Sequence, residues 1–286
     1  MISLRIISVV LLLLTPALLF AGTVTVLPML PKAGATVTIE YRPGPADASL
    51  VASGQVHAVL YGFTVDAESP KATEVTLTNK SGTWVGSTTL DPQIVYTIVK
   101  VGNGLAYDTN KEMYWEFLTA TERGTPVRGA HMRAAFSRYG QLPAPCRMKE
   151  DFADAVAELD KETRAYPNNT VARVNYIIVM KNTGEMDEAE AQAKMREITT
   201  SVIQSQSPME AIALAQAYES QGRQDEAQRV MADAASRFPK SIVAEQIALG
   251  QLSSAPTIDA FVSRVSEHLK AWPESFTRQN LIDAVI

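Results

Sequence analysis

Two periodicities divide this chain. Between residues 23 and 120, apolar and β-branched residues alternate with polar ones in short runs separated by turn residues, the pattern of half-buried strands. Thr23–Val26 comes first. Thr36–Tyr41 follows, with Val37, Ile39 and Tyr41 on one face and Thr36, Thr38 and Glu40 on the other. Pro43-Gly44-Pro45 breaks that run. Gln55–Val65 carries His57, Val59, Tyr61, Phe63 and Val65 on one face and Ala58, Leu60 and Gly62 on the other, which predicts a central strand covered on both sides. Glu74–Thr78 and Thr83–Thr89 flank the hairpin loop Asn79-Lys-Ser-Gly82. Ile94–Val101, ended by Gly102-Asn103-Gly104, and Met113–Leu118 complete the set.

Seven short strands with no helical period predict an antiparallel β-sandwich of immunoglobulin-like type over residues 23–120. The chain has one cysteine, Cys146, so packing alone must hold the sandwich and no Cys-based zinc site can form. Trp84, Trp115, Tyr61 and Phe63 are expected in its core, the alternative being an exposed sugar-stacking platform. His57 reads as a satisfied core histidine. In the loop 101–110, Asn103, Asp108 and Asn110 offer oxygen atoms that suit either ordinary turn chemistry or contact with Ca²⁺ or a carbohydrate.

Gly140-Gln-Leu-Pro-Ala-Pro145 marks a boundary, and residues 121–147 are expected to be a linker. Cys146 lies there, readable as a reactive thiol or as a small half-buried residue. From residue 148 the apolar period becomes that of a helix. Within Ala211–Ser241, Leu214, Ala215, Tyr218, Gly222, Ala227, Met231, Ala234 and Pro239 recur at spacings that resemble a tetratricopeptide repeat. Gly222 fits the turn between two helices, Ala227 the small residue where they cross, and Pro239 the closing position. Gly184 and Ala189 repeat the turn and the crossing alanine 38 residues earlier. The extra residues relative to the usual period are expected to lengthen a helix near Thr199–Gln206. Phe152–Pro167 reads as a second helix alone, and Ala271-Trp-Pro273 closes a further unit. Residues 148–286 are therefore expected to form an α-helical solenoid of three hairpins, a leading helix and a terminal helix from about Glu274. The resemblance implies a concave protein-binding groove at Ile212, Gln216, Glu219 and Ser220, and at Val174, Ile178, Lys181 and Asn182 in the preceding unit. The lysine/asparagine clamp of family members that bind acidic chaperone tails is not reproduced, because Ile212 and Gln216 occupy two of its positions.

Residues 1–21 read as a secretory signal peptide. Arg5 supplies the positive start, Ile6–Leu14 is apolar apart from Ser8, and Ala21-Gly22 is the expected cleavage point, with Leu19 larger than ideal two residues before it. An uncleaved anchor is the alternative, although about 16 apolar residues fall short of a span. Cleavage removes Arg5 and changes the net charge from −5 to −6. The expected location is periplasmic or secreted, with no stable membrane span after cleavage.

An acidic chain does not suit a nucleic-acid partner. No nucleophile elbow, phosphate-binding loop or zinc-protease motif occurs. Glu185, Asp187, Glu188 and Glu190, like Asp225 and Glu226, sit at helix starts, where they complement the helix dipole. The chain is expected to be no enzyme, to need no cofactor and to hold no metal. The order leader, sandwich, helical repeats resembles the non-catalytic leading region of exported bacterial thioredoxin-like (redoxin) proteins, on weak motifs such as Tyr61-Gly-Phe63, Trp84-Val-Gly86 and Asp108-Thr-Asn110. Reductase activity is not carried over, because only that leading region is matched. The expected function is that of a scaffold or adaptor binding a protein or peptide of the cell envelope. Carbohydrate binding on the sandwich, or an accessory role beside a thiol–disulfide oxidoreductase, are the alternatives.

Overall fold

The computed structural model describes residues 22–283 apart from 67, 68, 109, 144, 145, 253 and 274–277. The signal peptide expected at 1–21 lies outside the described residues.

The strands are β1 (Thr23–Leu27), β2 (Thr36–Arg42), β3 (Val56–Phe63), β4 (Lys71–Lys80), β5 (Thr83–Thr89), β6 (Tyr96–Gly102), β7 (Tyr107–Asp108) and β8 (Trp115–Leu118). All seven expected strands are present, and the two-residue β7 is added. They pair antiparallel along one path, β1-β2-β5-β4-β3-β6, with β7 and β8 sharing the outer edge of β6. β4 changes partner along its length: Lys71–Leu77 pair with β3, and Thr78–Lys80 with β5. The sheet curls there into a half-barrel. Tyr41 of β2 and Trp115 of β8 stand far apart in strand order, yet their rings meet edge to face at 6.1 Å. The enclosed core includes Ile39, Tyr41, Leu60, Leu77, Trp84 and Val99.

Helix α1 (Ala48–Ala52) follows a 3-10 turn at Pro45–Asp47. The helical region comprises α2 (Ala130–Arg138), α3 (Phe152–Ala165), α4 (Thr170–Asn182), α5 (Glu188–Ser201), α6 (Pro208–Glu219), α7 (Gln224–Arg237), α8 (Ile242–Leu252), α9 (Ile258–Ala271) and α10 (Arg278–Asp283). Side chains of Asp151, Asn169, Asp187, Ser207 and Thr257 cap the starts of α3, α4, α5, α6 and α9. Each such cap contributes about 1 kcal/mol. Gly184 and Gly222 take φ of 77° and 72° after α4 and α6, the left-handed turn that glycine adopts without steric cost. Helices α2 to α9 pack as successive hairpins, and α4, α6 and α8 lie side by side.

The structure differs from the sequence reading at three points. Residues 121–147, expected to be a linker, contain α2, which is buried along nearly its whole length. It lies between the outer face of the sheet and α3 and gives α3 its hairpin partner. Ala191, rather than Ala189, is the buried alanine of α5. The extra residues of that unit do not lengthen the helix that reaches Thr199, α5. The caps Asn169 and Ser207 are 38 residues apart, whereas Asp187 and Arg223, which start the paired second helices, are 36 apart. One residue therefore extends α4, 13 residues against 12 in α6, one enters the α4–α5 turn and two the loop before α6, while α5 and α7 both span 14 residues.

One apolar cluster runs from Phe63, Tyr96 and Ile98 on the sheet through Met132 and Phe136 of α2 to Leu159, Ile177, Ile198 and Leu214. Sheet and helices thus share a core. Polar contacts reinforce the seam. Arg138 Nη1 donates to Glu116 Oε2 at 2.5 Å and its Nε to Asp154 Oδ2 at 2.8 Å, while the Tyr96 hydroxyl also donates to Glu116.

Candidate functional site

The helix period brings the first helices of the hairpins to one concave surface. Met209, Ile212, Ala213 and Gln216 follow the i, i+3, i+4, i+7 spacing on α6, Val171 and Asn175 are one turn apart on α4, and Arg133 and Phe136 one turn apart on α2. These side chains, with Gln246 of α8, Ser69 and Gln141-Leu-Pro143, line a cleft of about 470 Å³.

Its floor is held rigidly. Arg133 is almost fully buried; its Nε donates to the Thr64 carbonyl at 2.9 Å and its Nη2 to the Val65 carbonyl at 2.8 Å, and its guanidinium lies 5.5 Å from the centre of the Phe136 ring. That cation pins the segment after β3 onto α2. The Tyr139 hydroxyl donates to Asn175 Oδ1 at 2.6 Å, and Asn175 Nδ2 donates to the Val171 carbonyl at 2.8 Å. Burial pushes the Tyr139 phenol far above its ordinary range, so it stays a protonated donor. The walls combine apolar surface from Val171, Met209 and Ile212 with the exposed carboxamides of Gln141, Gln216 and Gln246. A carboxamide presents a donor and an acceptor side by side, as a peptide unit does. Among the described residues, the lining contains no carboxylate, histidine or cysteine.

Of the groove positions expected from sequence, Ile212 and Gln216 line the cleft. Val174 is fully buried in the core, and Ile178 packs against it. Lys181 is exposed at the end of α4, 2.6 Å from Glu188, with Asn182 exposed beside it. Glu219 and Ser220 are exposed at the far end of α6, where Glu219 borders a separate hollow with Met231 and Gln246. Sequence reasoning missed Met209, Ala213, Val171 and Asn175. They lie within one turn of the expected positions, and the helical period extended back from Ile212 would have reached Met209. The contribution of α2 was hidden because that segment read as a linker.

Other candidate groups are committed elsewhere. Cys146 is fully buried, and that burial pushes its thiol up to about 12, so the reactive-thiol reading has no accessible nucleophile. Trp84 and Phe63 are core residues, on opposite faces of the curled sheet. Trp115 packs on Tyr41, and Tyr61 against the helical core. These four rings form no common exposed platform. His57 is half-buried and pairs with Glu74 at 2.9 Å. Asn103 Oδ1 accepts from the Leu105 and Ala106 amides, and the Asn110 side chain donates to the Tyr114 carbonyl at 2.8 Å. Both are turn chemistry. Among the described residues no group of three or more acidic, histidine or cysteine side chains could hold a metal ion, and no helix is long and apolar enough to cross a membrane.

No family model matches the chain, and a search of curated proteins gives no match.

Proposed function

We propose that the chain is an exported, non-enzymatic adaptor that holds an extended, uncharged peptide segment of a cell-envelope protein. The segment lies in the cleft between α2, α4, α6 and α8. The helical hairpins act as a tetratricopeptide-type array, and the curled sheet acts as an immunoglobulin-like sandwich that anchors the array's first hairpin. One observation carries the reading: apolar side chains and carboxamides line the same cleft. Carboxamides would pair with the peptide backbone, and the apolar positions would receive alternate side chains. Among the described lining residues Arg133 is the one charged group, and it already serves two carbonyls, so an uncharged segment fits this wall better than a charged tail.

The test is selection of peptides from a displayed random library against the full chain, followed by fluorescence anisotropy with the selected sequences. Ile212→Asp places a charge on the apolar wall, and Gln216→Ala removes a carboxamide. Affinity is expected to fall about tenfold or more for the first and a few-fold for the second. Lys181→Ala, outside the cleft, should leave it unchanged. Selected peptides that bind all three variants equally would refute the cleft as the site.

A further inference from the structure

The half-barrel contains a buried pair of carboxylates. Asp108 is 4% exposed and Asp47 9%. Asp108 Oδ2 accepts from the Tyr41 hydroxyl at 3.0 Å and from the Gly22 backbone nitrogen at 2.9 Å; its Oδ1 accepts from the Asn110 amide at 2.9 Å. Asp47 accepts from the Gly44 amide at 2.9 Å, and its carboxyl faces both Asp108 and the Gly22 nitrogen. Among the described residues no lysine, arginine or histidine forms an ion pair with either aspartate. Two carboxylates at one desolvated place destabilise each other unless a cation joins them.

The group already seated between them is the nitrogen of Gly22, just before β1. Only glycine fits there, because a Cβ would stand 2.4 Å from Tyr41 Cε2 and 2.7 Å from Asp108 Oδ2. Gly22 is also the residue that follows the cleavage point read from the leader pattern. The two observations are independent, one from side-chain packing and one from the order of charged, apolar and small residues.

We propose that hydrolysis of the Ala21–Gly22 bond creates an ammonium at Gly22 that docks between Asp47 and Asp108 and fastens β1 into the sheet. The inference rests on the export part of the proposed function and not on the cleft. The step is an ordinary hydrolysis by a leader-processing peptidase. Water adds across the amide, Ala21 keeps the new carboxylate, and the released Gly22 amine takes a proton. The buried site then gains a positive charge at a position that held a neutral amide. Burial, followed by the charge of Asp108, pushes the Asp47 carboxyl above its usual range while no cation is present. The ammonium removes that penalty. Before processing, the pair therefore weakens the closure of β1 on β2; after it, the same pair strengthens it.

The experiment begins with the full chain expressed with its leader in an exporting bacterium, and intact mass with N-terminal sequencing of the product. A chain beginning at Gly22 is expected. A retained leader, or a cut elsewhere, would overturn the assigned bond. Two chains are then prepared by tag removal, one starting at Gly22 and one at Ala21. Thermal melts should place the Gly22 chain several degrees higher. Asp47→Asn should narrow that gap. An amine-reactive label should modify the Gly22 amine about tenfold more slowly than in the Asp47→Asn chain, because the docked ammonium is paired and buried. Equal melting of the two starts, with equal labelling in the variant, would overturn the docking while leaving export and the cleft untouched.

Discussion

Replacing Arg138 with methionine removes the cation that clamps the sheet to the helices. Its side chain is 9% exposed, lies against Glu116 of β8 and is 2.8 Å from Asp154 of α3. Asp154 is 43% exposed, so its pair with Arg138 is screened by water and contributes below about 1 kcal/mol. The Glu116 pair dominates. Without the guanidinium, Glu116 keeps only the Tyr96 hydroxyl among these partners and must recruit water into the seam. Removing one member of a buried pair typically costs about 3–5 kcal/mol, and partial rehydration of Glu116 places this variant near the lower end. With a urea slope of about 2–3 kcal/mol/M, the midpoint should fall by about 1 M. Tryptophan fluorescence reports mainly on the sheet through Trp84 and Trp115, and circular dichroism at helical wavelengths reports on the hairpins. The shared core makes the two transitions coincide in the natural protein, and both should move together in the variant. A shift below about 0.3 M, or a fall in the helical signal with the sheet unmoved, would refute the clamp. A cycle with Glu116→Gln should return a coupling of about 2 kcal/mol.

Three further outcomes are expected. Cys146 should resist a water-soluble disulfide reagent at neutral pH and react fully on denaturation, since its thiol is buried and pushed up to about 12; prompt reaction in the native state would contradict that burial. Glu158 is held below its usual range, because contacts with His131 and Lys161 outweigh the opposing effect of burial. A lowered carboxyl contributes stability above its unfolded value, and loses it as pH falls below about 4.5 through the folded value. The acid limb of the stability profile should therefore be shallower in Glu158→Gln, and identical limbs would remove the assignment. Ala227→Leu overfills the α6–α7 crossing and should cost about 1–3 kcal/mol by urea unfolding, whereas Ala189→Leu on an exposed face should cost less than about 0.5 kcal/mol. Equal costs would undo the register derived from the helix caps.

Where one face of an element meets water, its pattern was readable. The alternation Val37, Ile39, Tyr41 placed β2, and the Gly184 and Gly222 turns placed the hairpins. Helix α2 was hidden for the opposite reason. Buried between the sheet and α3, Ala130–Arg138 turns even its polar Arg133, Ser137 and Arg138 inward, so no water-facing side sets a period, and the turn residues around it resemble a linker. The curl of the sheet was equally silent, since the partner change within β4 depends on which strands lie at its two ends. For the site, Ile212 and Gln216 were found because their helix presents a clean face. Val174 was misplaced because spacing alone does not tell a groove from a core. The pairing of Asp47 with Asp108 joins a turn to a distant strand, which no local pattern encodes.

Stacks of helical hairpins need something to close their ends, because each inner face is apolar. Here the outer face of the half-barrel closes one end, with Phe63, Tyr96 and Ile98 packed on α2. That end is not a place where the chain can be divided. A fragment starting at residue 148 would carry α3 without its partner and would expose Ala155 and Leu159 to water. Hairpins could be lost or gained only at the opposite end. The helical region therefore has a polarity for engineering: the sheet is its foundation, and any useful shortening begins from the end that carries α9 and α10.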